Sequence, residues 1–184
     1  MAPLNQLVER IRTDGTSTDV PYFDPADGGI HARCLFVLEA PGPNAVKSGF
    51  VSRDNPDETA KNLYLLTQAA GLPRDITAIW NIVPWYIGTE GKIRPARRSD
   101  IAAGVVYLKS VCELIPNLRT IVLVGQKAQT VAGDIAIVVP DVEILRSPHP
   151  SPLFINNKPG NRALVLKAFE TVRKSLGKIA PPDA

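Results

Sequence analysis

The chain has 184 residues, 45% of them hydrophobic and 21% charged, which fits a folded domain with a sizeable core and excludes a disordered chain. Its formal net charge of +3 admits a nucleic-acid partner without demanding one. No apolar run nears the roughly 20 residues of a membrane span, residues 1–13 lack the apolar stretch of a signal peptide, and a cytoplasmic location is expected.

Residues 3–12 carry Leu4, Leu7, Val8 and Ile11 at helical spacing, so a short helix is expected there. A polar connector follows to His31, which has no partner near it in sequence and reads as a surface histidine. Cys34-Leu35-Phe36-Val37-Leu38 is a continuous apolar run, as in a strand buried on both faces. It ends at Glu39-Ala40-Pro41-Gly42, and a long loop leads on to the next helix. Loops of that length in compact domains are usually functional or disordered.

The start of that helix is marked by Asn55 as N-cap, Pro56 at the first helical position and Glu58 two residues on. Ala60, Leu63, Leu66 and Ala70 form its stripe, and Gly71 and Pro73 end it. A second strand is expected over residues 76–80, stopping at Asn81. Beyond Pro84-Trp85-Tyr86 a basic loop carries Lys92, Arg94, Arg97 and Arg98. Ser99 reads as the cap of a helix with Ile101, Val105, Leu108, Cys112 and Ile115 on one side and Pro116 at its end.

A third strand covers residues 120–124, with Gly125 at its end and a short helix after it. Residues 135–139 are apolar and admit a short extra strand; residues 142–145 are the fourth. The last helix starts near Asn161 and presents Val165, Ala168, Phe169, Val172 and Leu176. Residues 180–184 read as a frayed tail. Cys34 and Cys112 are too few for a four-cysteine metal or cluster site, and both stand in apolar surroundings as small core residues.

Strands alternating with amphipathic helices predict one α/β domain over residues 1–184, its core at about 33–176: a three-layer α/β/α sandwich on a four-stranded parallel sheet. Ligands of such sheets bind outside the carboxyl ends of the strands. Glu39, Asn81 and His149 each follow a strand, so the topology gathers them on one rim. The plain alternative is that most strands end in something polar.

His149 lies in Arg146-Ser147-Pro148-His149-Pro150-Ser151-Pro152-Leu153. Flanking prolines stiffen the backbone and aim the imidazole. By itself the stretch also reads as a proline-rich turn.

Glu39-Ala40-Pro41-Gly42 resembles the first motif of the iron–sulfur, thermophile-type uracil-DNA glycosylases, which read Gly-Glu-Ala-Pro-Gly. His149-Pro150-Ser151-Pro152-Leu153 resembles the last motif of the common, cluster-free type. Asn81 and the run Leu-Val-Gly-Gln-Lys-Ala-Gln at residues 123–129 match the superfamily in order and spacing, over roughly residues 33–175 in all. Leu38 replaces the leading glycine, the cluster cysteines are missing, and Ala40 and Gly42 stand where the common type has aspartate and tyrosine. The resemblance is therefore to a mixed member without a cofactor or metal.

It implies a monomeric, monofunctional enzyme that flips uracil out of single- or double-stranded DNA and hydrolyses its N-glycosidic bond. Phe50 would stack on the base, as a family phenylalanine does, with Ala40, Pro41 and Gly42 in the same pocket. The amide of Asn81 offers an acceptor for uracil N3–H and a donor for O4, a pattern that cytosine reverses. His149 would donate to O2 as charge builds on the leaving base. Glu39 would place water and favour the cationic sugar; alternatively it caps a backbone N–H. Arg94, Arg97, Arg98, Arg146, Ser151, Lys158 and Arg162 are expected on DNA, with Leu153 as a wedge in the vacated stack. Other readings are a mismatch or hypoxanthine-type glycosylase, or a non-catalytic binder of damaged or abasic DNA.

Overall fold

The computed structural model describes residues 1–14, 17–89 and 92–177; the expected frayed tail and the side chain of Lys92 lie outside the described residues. In chain order the elements are α1 (Ala2–Thr13), β1 (Tyr22–Phe23), β2 (Cys34–Leu38), α2 (Pro43–Ser48), β3 (Phe50–Val51), α3 (Glu58–Ala69), β4 (Thr77–Asn81) and β5 (Gly88–Thr89). They continue with β6 (Lys92–Ile93), α4 (Arg98–Glu113), β7 (Thr120–Val124), α5 (Gln126–Gln129), α6 (Ala132–Val138), β8 (Glu143–Ser147), α7 (Pro152–Ile155) and α8 (Asn161–Ser175).

The central sheet is four-stranded and all parallel, in the order β4-β2-β7-β8. The apolar runs of β2, β4 and β7 are buried almost throughout, as strands covered on both faces must be. Successive side chains point to opposite faces, and register partners share one. Phe36 therefore meets α8 through Phe169, with ring centroids 5.1 Å apart. Val37 and its partner Trp80 face the other way, where Phe23 of β1 stacks on Trp80 at 4.0 Å. Helices α3 and α8 pack together, as do α1 and α4, giving the two outer layers. Cys34 and Cys112 are both buried, and burial pushes both thiols up, that of Cys112 to about 12.

Several boundaries differ from the expected ones. α3 begins at Glu58 and is capped by Asp57, whose Oδ1 accepts the Ala60 N–H at 2.9 Å. Asn55 is engaged elsewhere, donating to the Phe50 carbonyl at 3.0 Å, so Asp57 supplies the cap. Likewise α4 begins at Arg98, with Ser99 inside its first turn and Asp100 accepting the Arg97 N–H at 2.7 Å. Residues 135–139 form no strand: α6 covers most of them, Ile135 in the core and Ile137 exposed, a one-sided pattern that a helix satisfies without a sheet partner. The long loop after β2 is folded into α2 and β3, and β3 pairs in parallel with β1. β4 extends through Asn81 and β8 through Ser147, each longer at its carboxyl end than the apolar run.

Behind β3, Arg53 is buried and donates to Thr77 Oγ1 at 2.8 Å and to Asp27 at 3.3 Å. Arg74 joins Asp27, Asp24 and Asp54. Burial raises the pKa of Asp27, and Arg53 opposes that shift. This buried network fastens the segment after β3 to the start of β4.

α4 crosses the end of β4 closely at Gly104, where an added Cβ would overlap the Ile82 carbonyl oxygen and lie 3.1 Å from the Val83 Cα. Alanine is the better helix former by about 1 kcal/mol, yet the overlap is with backbone and cannot be relieved by a rotamer. Gly104→Ala is expected to lower stability by about 1–3 kcal/mol, read as the urea midpoint at constant slope. An unchanged midpoint would show that α4 has room to move away.

Candidate active site

Four parallel strands end on one rim, and the carboxyl ends of β2 and β4, with the turn after β8, help to wall a cleft of about 630 Å³. Glu39, Asn81 and His149 all line it. Ala40, Pro41 and Gly42 lie on the same wall, with Ser151 and Leu153 at its edge. A second space of about 630 Å³ adjoins it, sharing Glu39 and His149 and adding Lys127 and Arg146.

Asn81 owes its place to the ladder. It is the last residue of β4, opposite Leu38, with only 2% of its surface exposed. Its Nδ2 is buried and has no hydrogen-bond partner. Buried amides are nearly always satisfied, and an unpaired one on a residue that lines the cleft marks a position where a ligand can complete the bonding. The next two backbone amides, of Ile82 and Val83, donate to the carbonyls of Leu38 and Glu39 at 2.8 and 3.0 Å, so the pairing carries past the strand and holds the backbone of Glu39.

Glu39 has one carboxylate oxygen committed. Oε1 accepts the backbone N–H of Ala96 at 2.6 Å. Lys127 Nζ donates to the Ala96 carbonyl at 2.9 Å. The basic segment is thereby pinned at Ala96 from β2 and α5. Capping is part of what Glu39 does, although the capped amide is 57 residues away along the chain.

His149 is half-buried after β8. Its Nδ1 accepts the Ser151 N–H at 3.2 Å. A neutral imidazole that accepts at Nδ1 carries its proton on Nε2, so Nε2–H is the free donor. Burial lowers the pKa of His149, while Glu39 acts to raise it. Behind the ring stands Gly125, with φ +85°; a Cβ there would come within 3.2 Å of His149 Cδ2. Glycine both tolerates that backbone and leaves space for the imidazole.

The other expected contacts divide. Arg97, Arg98, Arg146, Lys158 and Arg162 are exposed. Arg94 makes a two-pronged contact with Asp100, at 2.6 and 3.0 Å, so its charge is already partnered. Ser151 Oγ accepts the Phe154 N–H and caps α7. Leu153 projects from α7 with 85% of its surface exposed. Phe50 does not join the cleft lining, although its neighbours Val51 and Ser52 do. Its ring is exposed on β3, 6.3 Å from Tyr22, because alternation along the strand sends Val51 inward and Phe50 outward.

Several supporting residues were not legible as such. Lys127 and Gln129 belong to the run after β7 that matched the superfamily, yet their partners, Ala96 and the Ser147 carbonyl, are remote in sequence. Asn62 is a buried amide beside the apolar stripe of α3, and that placement is the one available signal for it. Among the described residues no group of three or more His, Cys, Asp or Glu is placed to hold a metal ion.

The lowered pKa of His149 sets a pH dependence. The unfolded chain takes up its histidine proton near pH 6.5, and the folded chain does so only at lower pH. Between the two values the unfolded state binds more protons, so stability falls as pH falls through that window. His149→Gln is expected to lessen that acid loss, and nitrogen NMR should place the His149 midpoint below the value of about 6.5 of an unperturbed histidine. A midpoint at or above about 6.5 would contradict the half-buried, neutral imidazole.

The family profile described as the uracil DNA glycosylase superfamily matches residues 25–173. No curated protein gives a significant match. The matched span includes all four strands of the central sheet and Glu39, Asn81 and His149, and the parallel sheet flanked by helices agrees with it. The chain belongs to the uracil-DNA glycosylase superfamily, and so to the DNA glycosylases, hydrolases of base excision repair that bind DNA.

Proposed function

We propose that this glycosylase is monofunctional, acts as a monomer in the cytoplasm, and excises uracil by hydrolysis, leaving an abasic site. The observation that carries the reading is Asn81: a buried residue that lines the cleft, its backbone fixed by the ladder and its side-chain Nδ2 unpaired. Uracil presents N3–H and O4 side by side. An amide satisfies both at once, with its oxygen accepting and its nitrogen donating. The cleft exceeds a single pyrimidine ring and leaves room for the attached sugar.

The chemistry then follows from placement. As the N1–C1′ bond lengthens, its electron pair moves onto the base and the charge spreads to O2. Nε2–H of His149 is the donor for that oxygen, and a donor fixed in advance is worth about 3–4 kcal/mol. The oxygen of Glu39 not bound to Ala96 is free to accept a proton from water as the water attacks C1′. The same carboxylate favours the cationic sugar. The base leaves as an anion and is protonated from solvent.

Arg97, Arg98, Arg146, Lys158 and Arg162 are the phosphate contacts in this reading, with Arg94 serving mainly to stiffen the turn before α4. Leu153 fills the vacated stack. Phe50 stays the stacking group and would have to swing inward from β3 when the base enters.

The test of base reading is Asn81→Asp. It keeps the shape but sets a second acceptor against O4, a buried mismatch of about 1–3 kcal/mol or more. Uracil excision in single-turnover assays should fall about tenfold or further, while cytosine in single strands gains slow excision. Uracil excised at the parent rate, or hypoxanthine excised faster than uracil by the parent, would refute the reading. For the DNA face, Arg97→Ala with Arg98→Ala should weaken binding to any sequence and reduce the salt slope by about 2. An unchanged slope would put that face away from the phosphates.

A further inference from the structure

Asn62 stands on α3, outside the cleft lining, with 8% of its surface exposed. Its Nδ2 donates to the Pro150 carbonyl at 3.0 Å. Its Oδ1 accepts from Arg162 at 3.3 Å. Pro150 lies between His149 and Ser151, and its carbonyl belongs to the same planar peptide group as the Ser151 N–H. That N–H donates to His149 Nδ1 at 3.2 Å. Asn62 thus grips one end of a rigid plane whose other end touches the imidazole.

We infer that Asn62 is a positioning residue for His149: by holding the Pro150–Ser151 peptide it aims the Ser151 N–H at Nδ1 and keeps the ring proton on Nε2. The inference rests on the reading of His149 as donor to the leaving base. Two physical effects act together. A peptide group in a trans geometry points its N–H opposite to its C=O, so fixing the carbonyl fixes the direction of the N–H. A carbonyl that accepts a hydrogen bond also polarises its own peptide, which strengthens the N–H as a donor. The other constraints on this loop act elsewhere: Asn161 Nδ2 donates to the Phe154 carbonyl at 2.7 Å, and Gln129 to the Ser147 carbonyl at 3.0 Å. Neither touches the peptide that faces the ring.

Arg162 gives the arrangement a second consequence. Its guanidinium holds the oxygen of Asn62, which leaves the amide nitrogen directed at Pro150. The orientation of the Asn62 amide, and through it the tautomer of His149, is therefore set from α8 as well as α3.

The test uses Asn62→Asp and Asn62→Leu, with nitrogen NMR of the imidazole beside single-turnover excision and DNA affinity. Asn62→Asp keeps an acceptor for Arg162 but has no donor for Pro150; Asn62→Leu removes both polar contacts and fills the space. Both are expected to raise the share of the Nδ1–H tautomer and to shift the His149 midpoint from the parent value. Excision should fall about tenfold to a hundredfold, with DNA affinity within threefold of the parent. A parent-like tautomer and rate in whichever variant retains the parent's amide spectrum would overturn the inference. Should neither variant fold, the parent decides: a His149 that is not predominantly Nε2–H overturns it. A changed tautomer in the variants, with no uracil excision by the parent, would leave the positioning intact and refute the functional reading.

Discussion

The pairing of Leu38 with Asn81 is the contact on which the cleft depends. It ends two buried strands at the same height, and the two hydrogen bonds that follow it hold the backbone of Glu39 beside Asn81. A slip of one residue would turn Asn81 to the opposite face of the sheet and move Glu39 away from Ala96. Register here is set by burial on both faces: Phe36 needs the α8 side and Trp80 the β1 side. Asn81 and the Glu39 carboxylate are thus placed by the hydrophobic core.

His149 is placed by a different means. It lies beyond the sheet on a proline-stiffened turn, and its environment comes from Gly125 behind the ring, Ser151 at Nδ1 and Asn62 one peptide further out. Burial and an accepted backbone N–H both favour the neutral imidazole. In the proposed reaction a neutral donor suits a leaving group whose charge appears only as the bond breaks, because its hydrogen bond strengthens in the transition state more than in the ground state.

How much of this was legible in the sequence follows from what kind of contact made each feature. The buried strands announced themselves because both faces are covered, so their residues run apolar without interruption. The rim residues were legible because a parallel sheet sends every strand end to one side. Helix starts were less so: Asn55 and Asp57 are both competent caps, and only the hydrogen bond from Asn55 to Phe50 decides between them. Phe50 was located in sequence, but its outward ring depends on the pairing of β3 with β1, a two-residue strand too short to show periodicity. The Glu39–Ala96 and Asn62–Pro150 bonds join residues far apart in the chain, and no local pattern reports such pairs.

On the proposed reading the cleft breaks the glycosidic bond of uracil and does more than hold damaged DNA. The most direct measurement is incubation of the unmodified protein with an end-labelled oligonucleotide bearing one uracil, followed by alkali. Strand breakage at the uracil position is expected after alkali and none before it. A shifted, intact oligonucleotide after the same treatment would contradict it and leave a binding protein on a glycosylase fold.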